Sequence, residues 1–300
     1  MKILKRALRI LGAVIAVALL FIFGSIVIEG ALGGGRVDAL TNTRINAADG
    51  SVVRAFVARP SAPGPHPAVV MIHEFWGLKP DIVGKAQALA DEGYVVIAPD
   101  AMRGGSTSSI PRAIFQVSTT KPAQVDADLD AVFAWAAQQP EIMPDKIAVL
   151  GFCFGGGAAL RYSVDSGKPA ATVLFYGTPI ADPELIKHLG GPVLGVFGGA
   201  DVTISEDRVR AMERALNAAG VKNEIGIYPG QPHAFVSDVA TIRAGGAAGQ
   251  AWAQMLTFLK ANLAGGSARI AVPRPALTNA SPDLEYALAL AVAHLGHHAH

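Results

Sequence analysis

Seven consecutive residues, Gly151-Phe152-Cys153-Phe154-Gly155-Gly156-Gly157, join an apolar strand pattern (IAVL, 147–150) to a helical one (AALRYS, 158–163). A strand that becomes a helix within a few residues needs a strained backbone at the turn. It also needs neighbours without side chains, because strand and helix nearly touch there. The pattern commits this part of the chain to a strand–turn–helix unit with Cys153 at its tip. The helix N-terminus lends partial positive charge, which favours a thiolate. An inert buried cysteine in a glycine-rich turn is the alternative reading.

Similar apolar runs recur on both sides of the turn, at 52–58, 68–72, 95–98, 171–175, 193–197 and 224–228. Runs without polar alternation suit strands covered on both faces. Helical stripes lie between and after them. Val125, Leu129, Val132, Phe133 and Ala136 share one face, as do Val209, Met212, Leu216 and Ala219. Ser205 stands where an N-cap would, and Gly220 where that second helix should stop. Trp252, Met255, Leu256, Leu259 and Leu263 form the last stripe. Strand and helix in alternation predict an α/β fold with a mostly parallel, doubly covered sheet, whose ligands gather at the carboxyl ends of the strands.

Ahead of this body, residues 1–9 are basic (MKILKRALR) and residues 10–28 carry no charge. Nineteen residues at about 1.5 Å each make a helix of about 28 Å, close to the hydrocarbon thickness of a bilayer. The basic flank would stay cytoplasmic and send the body outside. Two readings stay open: an uncleaved anchor, for which the run's length speaks, and a signal peptide cut near Ala31-Leu32-Gly33. Gly30, Gly33, Gly34 and Gly35 then read as a flexible tether, giving a division into 1–35, a body of 36–263 and a C-terminal stretch of 264–300. That last stretch reads as a linker, a helix at 284–295 and a histidine-rich end with no assigned role.

Lys plus Arg is 25 and Asp plus Glu is 24. Residues 1–30 hold four of the bases and one acid, so the body is nearly neutral and offers no electrostatic footprint for nucleic acid. A single cysteine excludes an intrachain disulfide and a zinc site built on several thiolates.

A nucleophile needs a base and the base an orienting acid. The 193–197 run ends in Gly198-Gly199-Ala200-Asp201, and the 224–228 run ends in Pro229-Gly230-Gln231-Pro232-His233. Asp201 and His233 thus fall on the same sheet edge as Cys153, in the chain order nucleophile, acid, histidine.

With Glu74-Phe75-Trp76-Gly77 after the run VVMI, Ala98-Pro99-Asp100, the cysteine elbow, Gly198-Gly199-Ala200-Asp201 and His233-Ala234-Phe235, the chain resembles the dienelactone hydrolase family of the α/β-hydrolase superfamily. The likeness runs from about residue 36 to 263. It implies an α/β-hydrolase fold that hydrolyses small carboxylic esters or lactones without a metal or organic cofactor. It implies a Cys153–His233–Asp201 triad working through an acyl-enzyme, with an oxyanion hole from the backbone N–H groups of Phe154 and Phe75. Glu74 would stand beside the nucleophile and influence when the thiolate forms, while Trp76 and Arg103 would face the substrate. His73 is expected to support its loop. Two positions depart from the pattern: Arg103 lies one residue closer to Asp100 than the family's arginine, and Ser237 replaces the arginine expected four residues beyond His233, with Arg243 the next candidate. Losing that planar fork speaks for a broad carboxylesterase or thioesterase. A non-catalytic binding protein on the same fold is the reading from another class.

Overall fold

The computed structural model describes residues 2–263; the expected linker, helix and histidine-rich end of 264–300 lie outside the described residues. Eight strands form one sheet: β1 (Thr43–Asn46), β2 (Val52–Ala58), β3 (His66–Ile72), β4 (Val95–Pro99), β5 (Ile142–Phe152), β6 (Thr172–Phe175), β7 (Val193–Gly198) and β8 (Asn223–Tyr228). Their spatial order is β1-β2-β4-β3-β5-β6-β7-β8. β1 pairs with β2 and β2 with β4 antiparallel, and every later neighbour is parallel. The helices are α1 (Lys2–Leu40), α2 (Pro80–Asp91), α3 (Ile110–Thr119), α4 (Pro122–Ala136), α5 (Phe154–Ser166), α6 (Pro183–Ile186), α7 (Glu206–Ala218), α8 (Val239–Arg243) and α9 (Gly246–Leu263).

The absence of polar alternation in the central strands has its reason here. In β3, Val69 and Met71 join a core built with Leu89 of α2 and Met255 of α9, whereas Ala68, Val70 and Ile72 join one built with Leu129 and Val132 of α4. Both faces of the strand are therefore covered. A third cluster packs Val209, Met212 and Leu216 of α7 on Leu174 and Val193. The chain reverses its direction of travel across the sheet between β3 and β5, and ligands of open α/β sheets bind at such a switch point.

Sequence reading finds seven of the strands and misses β1, a four-residue edge with one buried side chain, Ile45. Ser205 does stand at the N-cap of α7, but its side chain makes no capping bond. Gly220 follows that helix at φ +68°, a backbone conformation that glycine adopts without strain.

The division at residue 35 needs correction. α1 continues without a break through Leu40, so residues 30–35 are helical where a loose tether was expected. Contact explains this. Gly33 lies so close to the loop after β4 that a Cβ there would stand 2.4 Å from the Gly104 carbonyl oxygen. Glu29 pairs with Arg36 and accepts a 2.8 Å hydrogen bond from the Thr107 hydroxyl, and Val37 is fully buried. The hydrogen bond from Arg36 is the main reason the Glu29 carboxyl is held down at about 2. Closer to the N-terminus, Leu20 and Phe21 are exposed, and α1 is the one helix among the described residues long and apolar enough to cross a membrane.

Candidate active site

β5 ends at Phe152 and α5 starts at Phe154, leaving Cys153 alone on the turn with φ +54° and ψ −117°. Such a backbone is strained for any residue with a side chain, and it holds because its surroundings allow nothing else. The Cys153 N–H donates to the Phe175 carbonyl of β6 at 2.9 Å. A Cβ on Gly151 would lie 2.0 Å from the Gly155 oxygen, and one on Gly155 would lie 2.3 Å from that of Ile72. The glycines thus have the role expected of them: they let elbow, helix and β3 meet backbone to backbone.

The loops after β7 and β8 bring Asp201 and His233 to the same edge. His233 Nδ1 lies 2.7 Å from Asp201 Oδ2, with both side chains almost wholly buried. Asp201 Oδ1 accepts from the Thr203 N–H and hydroxyl, each at 2.7 Å, and from the Ile204 N–H at 3.1 Å. A carboxylate held by so many donors cannot swing away from the imidazole. Burial alone would raise the Asp201 carboxyl, but His233 and Thr203 outweigh it and keep it below its usual range. For His233, burial opposes the charged ring, yet the charge of Cys153 and hydrogen bonds with Asp201 and Cys153 push it up to about 10.

The third wall is the loop after β3. Glu74 is almost fully buried, with Oε1 lacking a hydrogen-bond partner. Burial raises the Glu74 carboxyl, opposed chiefly by the positive charge of Lys85. Phe75 is buried, and its carbonyl accepts from Gln116 Nε2 of α3 at 2.6 Å. Phe154 opens α5, where first-turn N–H groups have no partner within the helix. His73 is fully buried at the start of the loop. It bridges the Glu74 carbonyl through Nδ1 (2.7 Å) and the Ala101 N–H through Nε2 (3.1 Å), the supporting role expected of it.

Residues 53–263 match the sequence profile of the dienelactone hydrolase family. The chain belongs to this family. A protein of Escherichia coli O157:H7, provisionally named a carboxymethylenebutenolidase, is 33% identical over 226 residues, covering 70% of this chain and 83% of the relative. A crystal structure from Klebsiella pneumoniae, described as a provisional dienelactone hydrolase, superposes with a TM-score of 0.65 at 34% identity, covering 72% of this chain and 96% of that one. A propionate-bound esterase from Thermogutta terrifontis shares the fold at TM-score 0.58 and 18% identity, over 76% of this chain and 97% of that one. The α/β-hydrolase architecture expected from the sequence is therefore present.

Within this dienelactone hydrolase family chain, Arg103, expected to face the substrate, is engaged with acidic side chains. Its guanidinium grips Asp128 of α4 through Nε (3.1 Å) and Nη2 (2.7 Å) and reaches Asp49 at 3.3 Å. The fork is thus taken up in an ion-pair cluster with α4, and its backbone sits at φ +47°. Ser237 bonds to Thr241 at 2.9 Å and supplies no cation. Trp76 is partly buried against Phe75 (ring centroids 4.4 Å apart), with the Lys79 ammonium over its ring at 5.7 Å.

Sequence reading missed three neighbours of the site. Thr203 fixes Asp201. Tyr176, at φ +41°, sets its ring 5.1 Å from that of His233 and donates to the Val236 carbonyl at 3.2 Å. Lys85 of α2 is the third. Tyr176 follows β6 directly, so its place at the carboxyl edge was the available signal.

The raised imidazole gives a pH prediction with a definite sign. The contacts of charged His233 stabilise the fold fully below about pH 6.5, the ordinary value, and that contribution fades as pH rises through about 10. Thermal midpoints measured from pH 6 to 10 should fall more steeply for the natural chain than for His233→Gln. Parallel curves would refute this.

Proposed function

We propose that the chain hydrolyses small carboxylic esters or lactones through a Cys153–His233–Asp201 triad. What carries the reading is the convergence of these three side chains: a strained elbow cysteine, and a buried imidazole bonded to both the cysteine and a fixed carboxylate. Cys153 attacks the carbonyl carbon as thiolate while His233 holds the proton. The tetrahedral oxyanion lies between the N–H groups of Phe154 and Phe75, where each donor is worth about 3–4 kcal/mol of barrier. Collapse expels the alkoxide, which takes the proton from His233, and leaves a thioester. His233 then takes a proton from water, the hydroxide adds to the thioester, and the acid departs as the thiolate returns.

A broad carboxylesterase is the form of this reading that specific observations favour. Arg103 is engaged with Asp128 and Ser237 is uncharged, so neither offers a substrate carboxylate the fork that the family pattern provides. The full chain in detergent should hydrolyse a short-chain nitrophenyl ester, with a kcat/KM at least about tenfold above that for a dienelactone, the loss of one charge-assisted contact being worth that much. A preference for the dienelactone would overturn the broad-esterase form. Activity on neither would overturn the proposal.

The exposed apolar half of α1 and its basic flank support a further placement: α1 as an uncleaved anchor, with the catalytic domain outside the cytoplasm.

A further inference from the structure

Lys85 is a charged group that the mechanism above does not use. It projects from α2 into the core, is fully buried, and its Nζ has no hydrogen-bond partner. The ammonium lies 4.2 Å from the centroid of the Phe152 ring, the residue immediately before Cys153. A lone ammonium in such a place is costly, and an apolar side chain of the same length would fit the site at less cost. A group kept against that cost, behind a reactive side chain, calls for a functional reading. Glu74, on the loop after β3 that walls the site, is another buried group of this core whose Oε1 lacks a partner.

We propose that Lys85 is a positioning residue for the reaction: its ammonium is the counter-charge that allows Glu74 to carry a negative charge inside the closed site. This rests on the proposed triad, because the Glu74 charge acts there on the His233 imidazolium. The charges around the pair divide clearly. Lys85, His233 and Lys79 favour the Glu74 carboxylate, while Asp81 of α2 and burial itself oppose it. Asp238 also faces Lys85, but its carboxylate is engaged in capping α8, through the Thr241 N–H at 2.7 Å and hydroxyl at 2.9 Å. Lys85 is the largest of the charges that favour the ionised Glu74. Without it, Glu74 holds its proton to higher pH and its effect on the imidazolium is lost.

Lys85→Met keeps the length of the side chain and removes the charge. It should fold with a thermal midpoint equal to or above that of the natural chain, whereas its kcat/KM should fall about tenfold at neutral pH. The acid limb of its pH–rate profile should move up by about one unit or more, and Lys85→Arg should restore part of the shift. In a Glu74→Gln background the substitution should no longer move the limb. Infrared titration of the carboxyl stretch that Glu74→Gln abolishes gives the same comparison without turnover, in the full-length protein. A Glu74 midpoint raised in Lys85→Met supports the pair even if no ester is hydrolysed, in which case the triad proposal fails separately. A Glu74 midpoint unchanged by Lys85→Met would overturn the inference, whatever the activity.

Discussion

Cys153→Ala should reduce ester hydrolysis by about 10⁴-fold or more in kcat while the protein stays folded. Alanine removes only the sulfur, so the buried elbow keeps its backbone and its 2.9 Å hydrogen bond to Phe175. On the proposed mechanism, what disappears is the atom that forms the covalent bond. Without it the site would only orient water beside the two proposed oxyanion donors, which in other triad enzymes leaves residual rates of about 10³–10⁴ over solution. Cys153→Ser is the more searching variant. A serine hydroxyl is far more basic than a thiol and needs His233 as a neutral base at the moment of attack, in a site where the natural pair is a cysteine charge beside a charged imidazole. The serine variant should therefore recover only a small part of the rate. Trapping the acyl group on the natural chain, seen as a mass increase that Cys153→Ala lacks, would test the covalent step directly. Equal rates in the natural chain and Cys153→Ala would remove the triad and leave a binding role on this fold as the reading to pursue.

The second large effect concerns stability. Gly155→Ala should abolish soluble folded protein. Its new methyl would stand 2.3 Å from the Ile72 oxygen and 2.6 Å from the His73 oxygen, both backbone atoms of the strand and loop that carry the site. Neither can retreat without parting β3 from β5, the centre of the sheet. A clash of that depth exceeds the few kcal/mol by which overpacking normally destabilises a core, and domains have only about 5–15 kcal/mol to lose. Gly157→Ala is the control two residues on. Its nearest neighbour would be Thr178 N at 3.3 Å, and alanine gains about 1 kcal/mol of helix propensity. Circular dichroism melts should show Gly157→Ala within a few degrees of the natural chain. A folded, cooperative Gly155→Ala would mean that the elbow packs less tightly than described.

Seven strands and the main helical stripes were legible because buried parallel strands write themselves as uninterrupted apolar runs. β1 was not, since TRIN buries only Ile45 and alternates too briefly to stand out. α2 escaped notice for a different reason: its inner face includes Lys85 and it contains Gly84, so no clean apolar stripe exists. Cys153, Asp201 and His233 could be read because each follows a strand and the fold fixes their chain order. Thr203 and Tyr176 carry no motif, and their importance comes from what neighbouring strands place beside them. Arg103 shows the opposite case. The family resemblance suggested the substrate side, and what sequence spacing does not show is that the buried carboxylate of Asp128 on α4 engages its guanidinium.

On the placement proposed above, the contact of Gly33 with Gly104 bears on the order of events during export. A cut near Ala31-Leu32-Gly33 requires an unwound segment, and docking winds that segment into helix against the loop 104–107. Processing and folding therefore compete in time for the same residues. Once the domain has closed over Gly33, any cut must wait for local opening. On the proposed anchored placement, a chain that wins this race keeps a stiff stalk, which would hold the proposed catalytic edge at a fixed height over the bilayer, where substrate is sampled by lateral diffusion in two dimensions.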